Sequence, residues 1–317
     1  MPTSLELCAG AGGQSLGLEV AGFDHMALIE LEPAACETLR LNRPAWNVIE
    51  ADLRLFSGTA YKGIDLLAGG VPCPPFSKAG KQLGGDDDRD LFPEALRLVD
   101  ECRPKAVMLE NVRGLLDVRF ERYRNNLEKN RTKLGYVSGW RLINACDFGV
   151  SQLRPRAVLV SLRTDLASGF SWPEPTKEKP PTVGELLHDL MKENDWQGAD
   201  RWRDRANAIA PTLVGGSKKH GGPDLGPTRA KRAWETLGVD GMGLWDDAPP
   251  REFDGMPRLT PRMAARIQGF PDDWQFFGRK TAAYRQIGNA FPPPVATAVA
   301  RSISTALGRK KVFGVAS

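Results

Sequence analysis

The run Ile64 to Ala68, closed by Gly69-Gly70 and followed by Val71-Pro72-Cys73-Pro74-Pro75-Phe76-Ser77, constrains the fold more than any other stretch. It is short, mostly apolar and stops at two glycines, the pattern of a central strand in a parallel sheet that ends abruptly at its carboxyl edge. Ligand-binding and catalytic groups of open α/β sheets collect at that edge. Pro72, Pro74 and Pro75 fix φ on both sides of Cys73 and remove backbone donors, so the thiol sits in a stiff loop. Cys73 is therefore a candidate nucleophile. A lone cysteine is as often a buried structural thiol, and a free thiol near its reference pKa of about 8.5 is only a few per cent thiolate at neutral pH. Activation of Cys73 or of its target must come from elsewhere in the chain.

Length and composition narrow the function classes. At 317 residues and 41% apolar content the chain can bury one sizeable core and carry a smaller second domain. It has no apolar run near the roughly 18 residues a membrane helix needs and no leader pattern, which predicts a soluble, intracellular protein. The five cysteines, Cys8, Cys36, Cys73, Cys102 and Cys146, form no CxxC pair, so neither a zinc site nor a disulfide framework is expected. With His25, His188 and His220 in dissimilar contexts, a Ser-His-Asp or Cys-His enzyme is a poor reading. The net charge of +4 permits a nucleic-acid partner without requiring one.

Taken in order, Ser4 to Cys8 reads as a strand that runs into Ala9-Gly10-Ala11-Gly12-Gly13 and then an apolar helix through Leu16, Leu18 and Val20. A glycine turn lets backbone approach a ligand, and the helix N-terminus favours its polar or anionic part. The spacing is not GxGxxG, so the turn alone is a weak cofactor signal. A second strand, Met26 to Ile29, ends at Glu30-Leu31-Glu32, about 20 residues on, where such folds place an acid on ribose hydroxyls. A third, Asn47 to Glu50, ends at Ala51-Asp52-Leu53; acids at strand ends are equally often solvated caps. Behind Cys73, the segment Ser77 to Arg89 is glycine-hinged, carries Lys78 and Lys81, and reads as a lid over a phosphate backbone.

Leu91 to Asp100 has helical apolar spacing, and the strand Ala106 to Leu109 delivers Glu110 to the same sheet edge as a candidate acid. Arg119 to Lys133 holds six Lys/Arg against two Glu and reads as a solvated helix. A hairpin-like pair follows, Tyr136 to Asn144 and then Gln152-Leu153-Arg154-Pro155-Arg156 into Ala157 to Val160. Two arginines two residues apart on extended chain share a face, so both are expected to reach one anionic ligand. From about Trp172 the periodicity is poor. Residues 173–256 hold twelve Lys/Arg against fifteen Asp/Glu, yet 217–232 alone holds five against one, with His220 and Trp234 nearby. That basic, glycine-studded segment is a nucleic-acid groove candidate or a solvated loop. Thr260 and Pro261 then open a helix that Gly269-Phe270-Pro271 stops. After Gln286-Ile287-Gly288-Asn289-Ala290-Phe291 a last apolar helix, Val295 to Leu307, is expected to return to the first domain.

At this point the chain resembles the DNA cytosine-5 methyltransferases, from Leu5 to about Ala300. The stretches that carry the resemblance, in the family's order, are Glu6 to Gly13, Pro72-Cys73 to Phe76-Ser77, Glu110-Asn111-Val112, Gln152-x-Arg154-x-Arg156, Leu259 to Pro271 and Gln286 to Phe291. The resemblance implies S-adenosyl-L-methionine at the glycine turn, with S-adenosyl-L-homocysteine as product. It places Cys8, Ala9, Gly10, Gly12, Gly13, Glu30, Leu31, Asp52, Leu53, Pro72, Asn289 and Ala290 at the cofactor, Glu30 on the ribose and Asp52 near the adenine amine. It implies that Cys73 attacks position 6 of a cytosine flipped out of the duplex, making position 5 nucleophilic. Glu110 then holds the ring nitrogen at position 3, and Arg154 and Arg156 orient the base and favour the thiolate. The family usually has an aromatic residue at Cys8, glutamine at Pro74 and glutamate at Met263; none of these departures removes a group that performs the chemistry.

The expected architecture is a mostly parallel, Rossmann-like α/β methyltransferase domain (1–172), a smaller, irregular target-recognition domain (173–260), and a hinge helix with a returning C-terminal segment (261–317). DNA contacts are expected from Ser77, Lys78, Lys81, Gln82, Lys218, Lys219, Arg229, Lys231 and Arg232. The partners implied are double-stranded DNA and, if the chain belongs to a restriction–modification pair, a cognate restriction endonuclease. A monomer in the prokaryotic cytosol, with no metal and no membrane, completes the reading. A tRNA cytosine-5 methyltransferase and a catalytically silent DNA-binding regulator are the alternatives, and acceptor competition separates the first of them.

Overall fold

A computed structural model of the chain describes residues 1–72, 90–216 and 224–308. Its short β-rich runs form one seven-stranded sheet: β1 Thr3–Leu7, β2 Asp24–Glu30, β3 Val48–Glu50, β4 Leu66–Gly69, β5 Ala106–Val112, β6 Tyr136–Asn144 and β7 Pro155–Arg163. The order is β3-β2-β1-β4-β5-β7-β6, so β4 is central, as its apolar sequence predicts. Strands β1 to β5 are parallel, and β7 and β6 add antiparallel at one edge. The chain winds outward to β3 and then crosses back to β4. This puts the reversal of strand order between β1 and β4, whose carboxyl ends meet at Leu7 and Gly69. A crevice opens at such a point in sheets of this kind.

Helices cover both faces. On one, α3 (Phe92–Cys102) buries Phe92, Ala95, Leu98, Val99 and Cys102, a stripe of helical period, against Leu5, Leu7, Leu67 and Val107. On the other, α1 (Gly13–Val20) and the last helix, Pro293–Gly308, share a core with Ala68, Met108, Val158 and Val160. Complete burial of each Val or Leu here contributes about 1.5–3 kcal/mol, so the C-terminal helix is held firmly to the sheet domain. Two further helices, α2 (Pro33–Asn42) and α4 (Glu121–Lys133), link β2 to β3 and β5 to β6. The basic helix α4 is largely exposed as expected, except that Arg131 is fully buried and donates from Nε to Ser138 at 3.0 Å.

The region expected to be irregular is helical where it packs. Its helices are α5 (Val183–Met191), α6 (Ala199–Arg205) and α7 (Thr228–Thr236). They enclose Leu187, Trp196, Trp202 and Trp234 in a second core. Trp234 is fully buried there and does not face a groove. The same core takes in Met263 and Ile267 of α8 (Pro261–Ile267) and Tyr284 and Ile287 of α9 (Lys280–Asn289). Thr260 caps α8, accepting from the Met263 N–H at 3.2 Å, while the Met263 sulfur takes the Thr260 N–H at 3.5 Å. Thus α8 and α9 pack with the described residues of the 183–259 segment, and the last helix, α10 (Pro293–Gly308), packs with α1.

Candidate active site

The carboxyl ends of β1, β2, β4 and β5 surround a cavity of about 390 Å³. Its floor is the glycine turn after β1. Gly10 and Gly12 take φ of +55° and +87°, values that favour a residue without Cβ. Turning there aims the Gly10 N–H at Glu30 Oε2, 2.7 Å away, and Glu30 Oε1 accepts from Leu31 and Glu32 N–H at 2.9 and 2.8 Å. The Glu30 carboxylate is thereby fixed at the end of β2, with lone pairs left for hydroxyl donors. Asp52 follows β3, accepts from the Arg54 N–H at 3.0 Å and lines the same cavity.

Of the residues expected at a cofactor, Cys8, Ala9, Gly10, Gly13, Glu30, Leu31, Asp52, Leu53, Pro72, Asn289 and Ala290 all line this cavity. Gly12 does not: it stands behind the turn, where an added Cβ would meet Leu39 and Trp274 at 2.8 Å. Among the lining residues that escaped the sequence reading, Glu6 and Gln14 are both polar and buried. Strand alternation turns Leu5 and Leu7 into the α3-side core and Glu6 to the opposite face, beneath α1. The Glu6 carboxyl oxygens and both Gln14 amide atoms are buried there without a hydrogen-bond partner. Burial pushes Glu6 up to about 8, offset in part by the nearby Ser15 hydroxyl, while the Glu30 charge adds to the rise. The alternation of polar and apolar residues in Ser4-Leu5-Glu6-Leu7 was the sequence signal that could have found Glu6.

Glu110 is the fifth residue of β5 and lines the cavity beside Gly70 and Pro72. Its Oε1 lies 2.7 Å from Arg156 Nε, and both side chains are nearly buried. Burial raises the Glu110 pKa, against the lowering pull of Arg156 and Arg154. Asn111 Nδ2 donates to Val71 O at 2.9 Å and ties β5 to the segment leading to position 73.

The two arginines have different hydrogen-bond partners. Arg156 meets Glu110, whereas Arg154 is fully buried and donates from Nη1 to Leu213 O (2.8 Å) and from Nη2 to Gly288 O (2.7 Å) and Ala290 O (3.0 Å). Its position before β7 explains this. The same-face rule holds within a strand, and β7 begins only at Pro155.

Cys73 and the expected DNA contacts Ser77, Lys78, Lys81, Gln82, Lys218 and Lys219 lie outside the described residues, as do Pro74 and His220. Among the other basic candidates, Arg229 and Arg232 are exposed on α7, but Lys231 is paired with Asp224 at 2.8 Å. Cys8 has φ of +52°, and burial together with the carboxylates of Glu30, Asp52 and Glu6 drives its thiol well above the ordinary range. Cys36 and Cys102 are pushed up to about 12 and about 11 by burial, and burial raises Cys146 as well. None of these four is an activated thiol.

A parallel-edge cavity with a carboxylate at the end of β2 and a paired acid on β5 suits an S-adenosylmethionine-dependent methyltransferase. The chain belongs to the C-5 cytosine-specific DNA methylases, matching that family over residues 3–305. It is 64% identical over 311 residues to the Type II methyltransferase M.NgoMIV of Neisseria gonorrhoeae, covering 97% of this chain and 99% of that one. It is 57% identical to M.NaeI of Lentzea aerocolonigenes over 96% of this chain and 75% of the relative. The fold is also that of the Entamoeba histolytica methyltransferase EhMeth, with a TM-score of 0.68, 13% identity and coverage of 98% and 99% of the two chains. The protein is thus a DNA (cytosine-5)-methyltransferase using S-adenosyl-L-methionine. The cavity fits that donor. Glu6 and Gln14 offer unpartnered polar atoms for its amino-acid end, and Glu30 lies beside the glycine turn for its ribose. Among the described residues no His/Cys/Asp/Glu cluster suits a metal ion, and no helix is long and apolar enough to cross a membrane.

Proposed function

We propose that Cys73 forms a transient bond to carbon 6 of a cytosine turned out of duplex DNA while Glu110 and Arg156 hold the ring. Attack by the thiolate pushes electron density toward ring nitrogen 3 and carbon 5. Glu110 in its protonated form, which burial favours, donates to nitrogen 3 and disperses the charge that builds there. Arg156 fixes the Glu110 side chain through the 2.7 Å contact and presents positive charge to the base. When bound, S-adenosylmethionine supplies the electrophilic methyl group that carbon 5 takes up. Transfer of the carbon 5 proton to solvent water, return of the nitrogen 3 proton to Glu110 and expulsion of the Cys73 sulfur then restore the aromatic ring. Glu30 accepts from the ribose hydroxyls, Asp52 from the adenine amine, and Asn289 and Ala290 close the opposite wall.

The observation that carries this reading is Glu110, held by Arg156 behind it, standing in the cavity wall with Pro72, the residue immediately before Cys73. The upward shifts of the four described cysteines leave Cys73 as the nucleophile of choice. Residues 173–260, whose described helices share a core with α8 and α9, serve as the target-recognition unit, with Arg229 and Arg232 on DNA phosphates. Transfer of a radiolabelled methyl group to duplex DNA, with bisulfite sequencing of the product, tests the scheme. A Cys73→Ala variant that still binds the donor should transfer nothing; transfer at the parental rate would overturn the assignment. We also read the chain as a monomer of the bacterial cytosol, paired with a cognate restriction endonuclease, because its close relatives are named Type II methyltransferases. Methylated DNA should then resist one such nuclease, and size-exclusion scattering should give the mass of a single chain.

A further inference from the structure

Three fully buried polar side chains, Gln152, Arg154 and Gln268, form one knot between the two cores. Gln152 Nε2 donates to Gln268 Oε1 at 2.7 Å, and Gln152 Oε1 accepts from the Leu213 N–H at 2.9 Å. Gln268 Nε2 reaches Ala290 O, so Ala290 O accepts from both Gln268 and Arg154. A buried guanidinium needs its protons taken, and here main-chain carbonyls rather than a carboxylate take those of Nη1 and Nη2, while Nε has no partner among the described residues. Those carbonyls come from two places: Leu213, on the chain that leaves the second core, and Gly288 and Ala290, at the end of α9 on the cavity wall.

The two segments also touch directly. A Cβ on Gly288 would stand 2.4 Å from Gly215 N, and one on Gly215 would stand 2.5 Å from Arg285 O. Asn289 Nδ2 donates to Gly216 O at 3.3 Å. A planar fork bonded to both segments, with backbone in van der Waals contact beside it, prevents either from moving alone.

We propose that Arg154, braced by Gln152 and Gln268, is a positioning residue that couples DNA engagement by the second unit to closure of the cofactor cavity. It acts through Leu213 to Gly216 on one side and Gly288 to Ala290 on the other. It does not touch the cytosine. This rests on the cofactor and target-recognition roles proposed above. Ligand at either site fixes one segment, the knot transmits that position, and the other site gains affinity, with the same factor in both directions.

The test measures binding of S-adenosylhomocysteine by calorimetry, with and without a duplex carrying the sequence that bisulfite analysis identifies. The parent should bind S-adenosylhomocysteine about tenfold tighter on DNA. Arg154→Lys, which lacks the fork, and Gln268→Met, which keeps volume but loses both bonds, should each bring that ratio to within about twofold of unity. Both should still bind S-adenosylhomocysteine alone. Gln268→Met removes no charge, so it decides the matter if the arginine variant does not fold. A parent ratio of one, or folded variants with the parental ratio, would overturn the proposal. So would an Arg154→Lys enzyme that loses kcat with its coupling intact, since that marks direct contact with the base. A parent that binds no S-adenosylhomocysteine, or methylates no DNA, would instead refute the underlying reading.

Discussion

Replacing Glu6 by glutamine tests the cavity floor through its proton. Glu6 is raised from an ordinary 4.5 to about 8, mainly by burial. A raised acid stabilises the folded state at low pH, where it is neutral in both states. That contribution is lost as pH climbs from the unfolded value toward the folded one, because burying the charge then opposes folding. One pKa unit is worth about 1.4 kcal/mol, so the apo protein should lose about 3 kcal/mol to this group between pH 5 and pH 8. Glu6→Gln keeps the shape and cannot ionise. Urea unfolding followed by tryptophan fluorescence at pH 5, 6.5 and 8 should show the variant gaining on the parent by about that amount across the range. Taking the difference between the two proteins cancels the other titrations. A stability difference that is flat with pH would refute the argument. The same proton should leave when an ammonium group enters beside Glu6. Binding of S-adenosylhomocysteine near pH 7, measured in buffers of different ionisation enthalpy, should release close to one proton in the parent and none in the variant.

Arg156→Met removes the cation bonded to Glu110, so the raised acid should move further up and the rate should fall about 10²-fold or more. The pH profile of kcat should shift in the same direction, and an unshifted profile would show that the pair is not coupled to turnover. Thr260→Ala removes the α8 cap and should cost about 1 kcal/mol, a melting temperature lower by about 2–4 °C in calorimetry. Arg229→Ala and Arg232→Ala should each flatten the salt dependence of DNA binding by about one unit of slope, because each exposed guanidinium is free to meet a phosphate. Lys231→Ala should leave that slope nearly unchanged, since its ammonium is held by Asp224; equal effects at all three positions would contradict this division.

What could be read from the sequence is what local physics alone decides. The first five strands were legible because each is a brief apolar run stopped by glycine or an acid, and a parallel order then brings those ends together whatever the helices do. Glu110 was placed just past its strand and lies inside β5, which changes nothing, because the residue still reaches the carboxyl edge. The 173–256 region was illegible for a different reason. Its helices run seven to nine residues, shorter than the window in which a 3.6-residue period declares itself, and α6 buries Ala199 and Trp202 amid charged neighbours. Trp196, Trp202 and Trp234 make that core, and their meeting depends on tertiary contact between distant segments.

The arginine pair marks the same boundary inside a single motif. Arg156 and Arg154 are two positions apart and chemically identical, yet one lies within β7, where strand period fixes its direction, and the other lies just before it. There the chain pairs by an isolated bridge between Gln152 and Ala210, and the guanidinium follows the carbonyls that two later segments bring to it. A motif therefore specifies residue types without specifying that they serve one task. In this enzyme the first arginine binds the architecture and the second binds the acid. If that division is right, moving positive charge from 154 to lysine should disturb communication between sites, whereas the same exchange at 156 should disturb the chemical step.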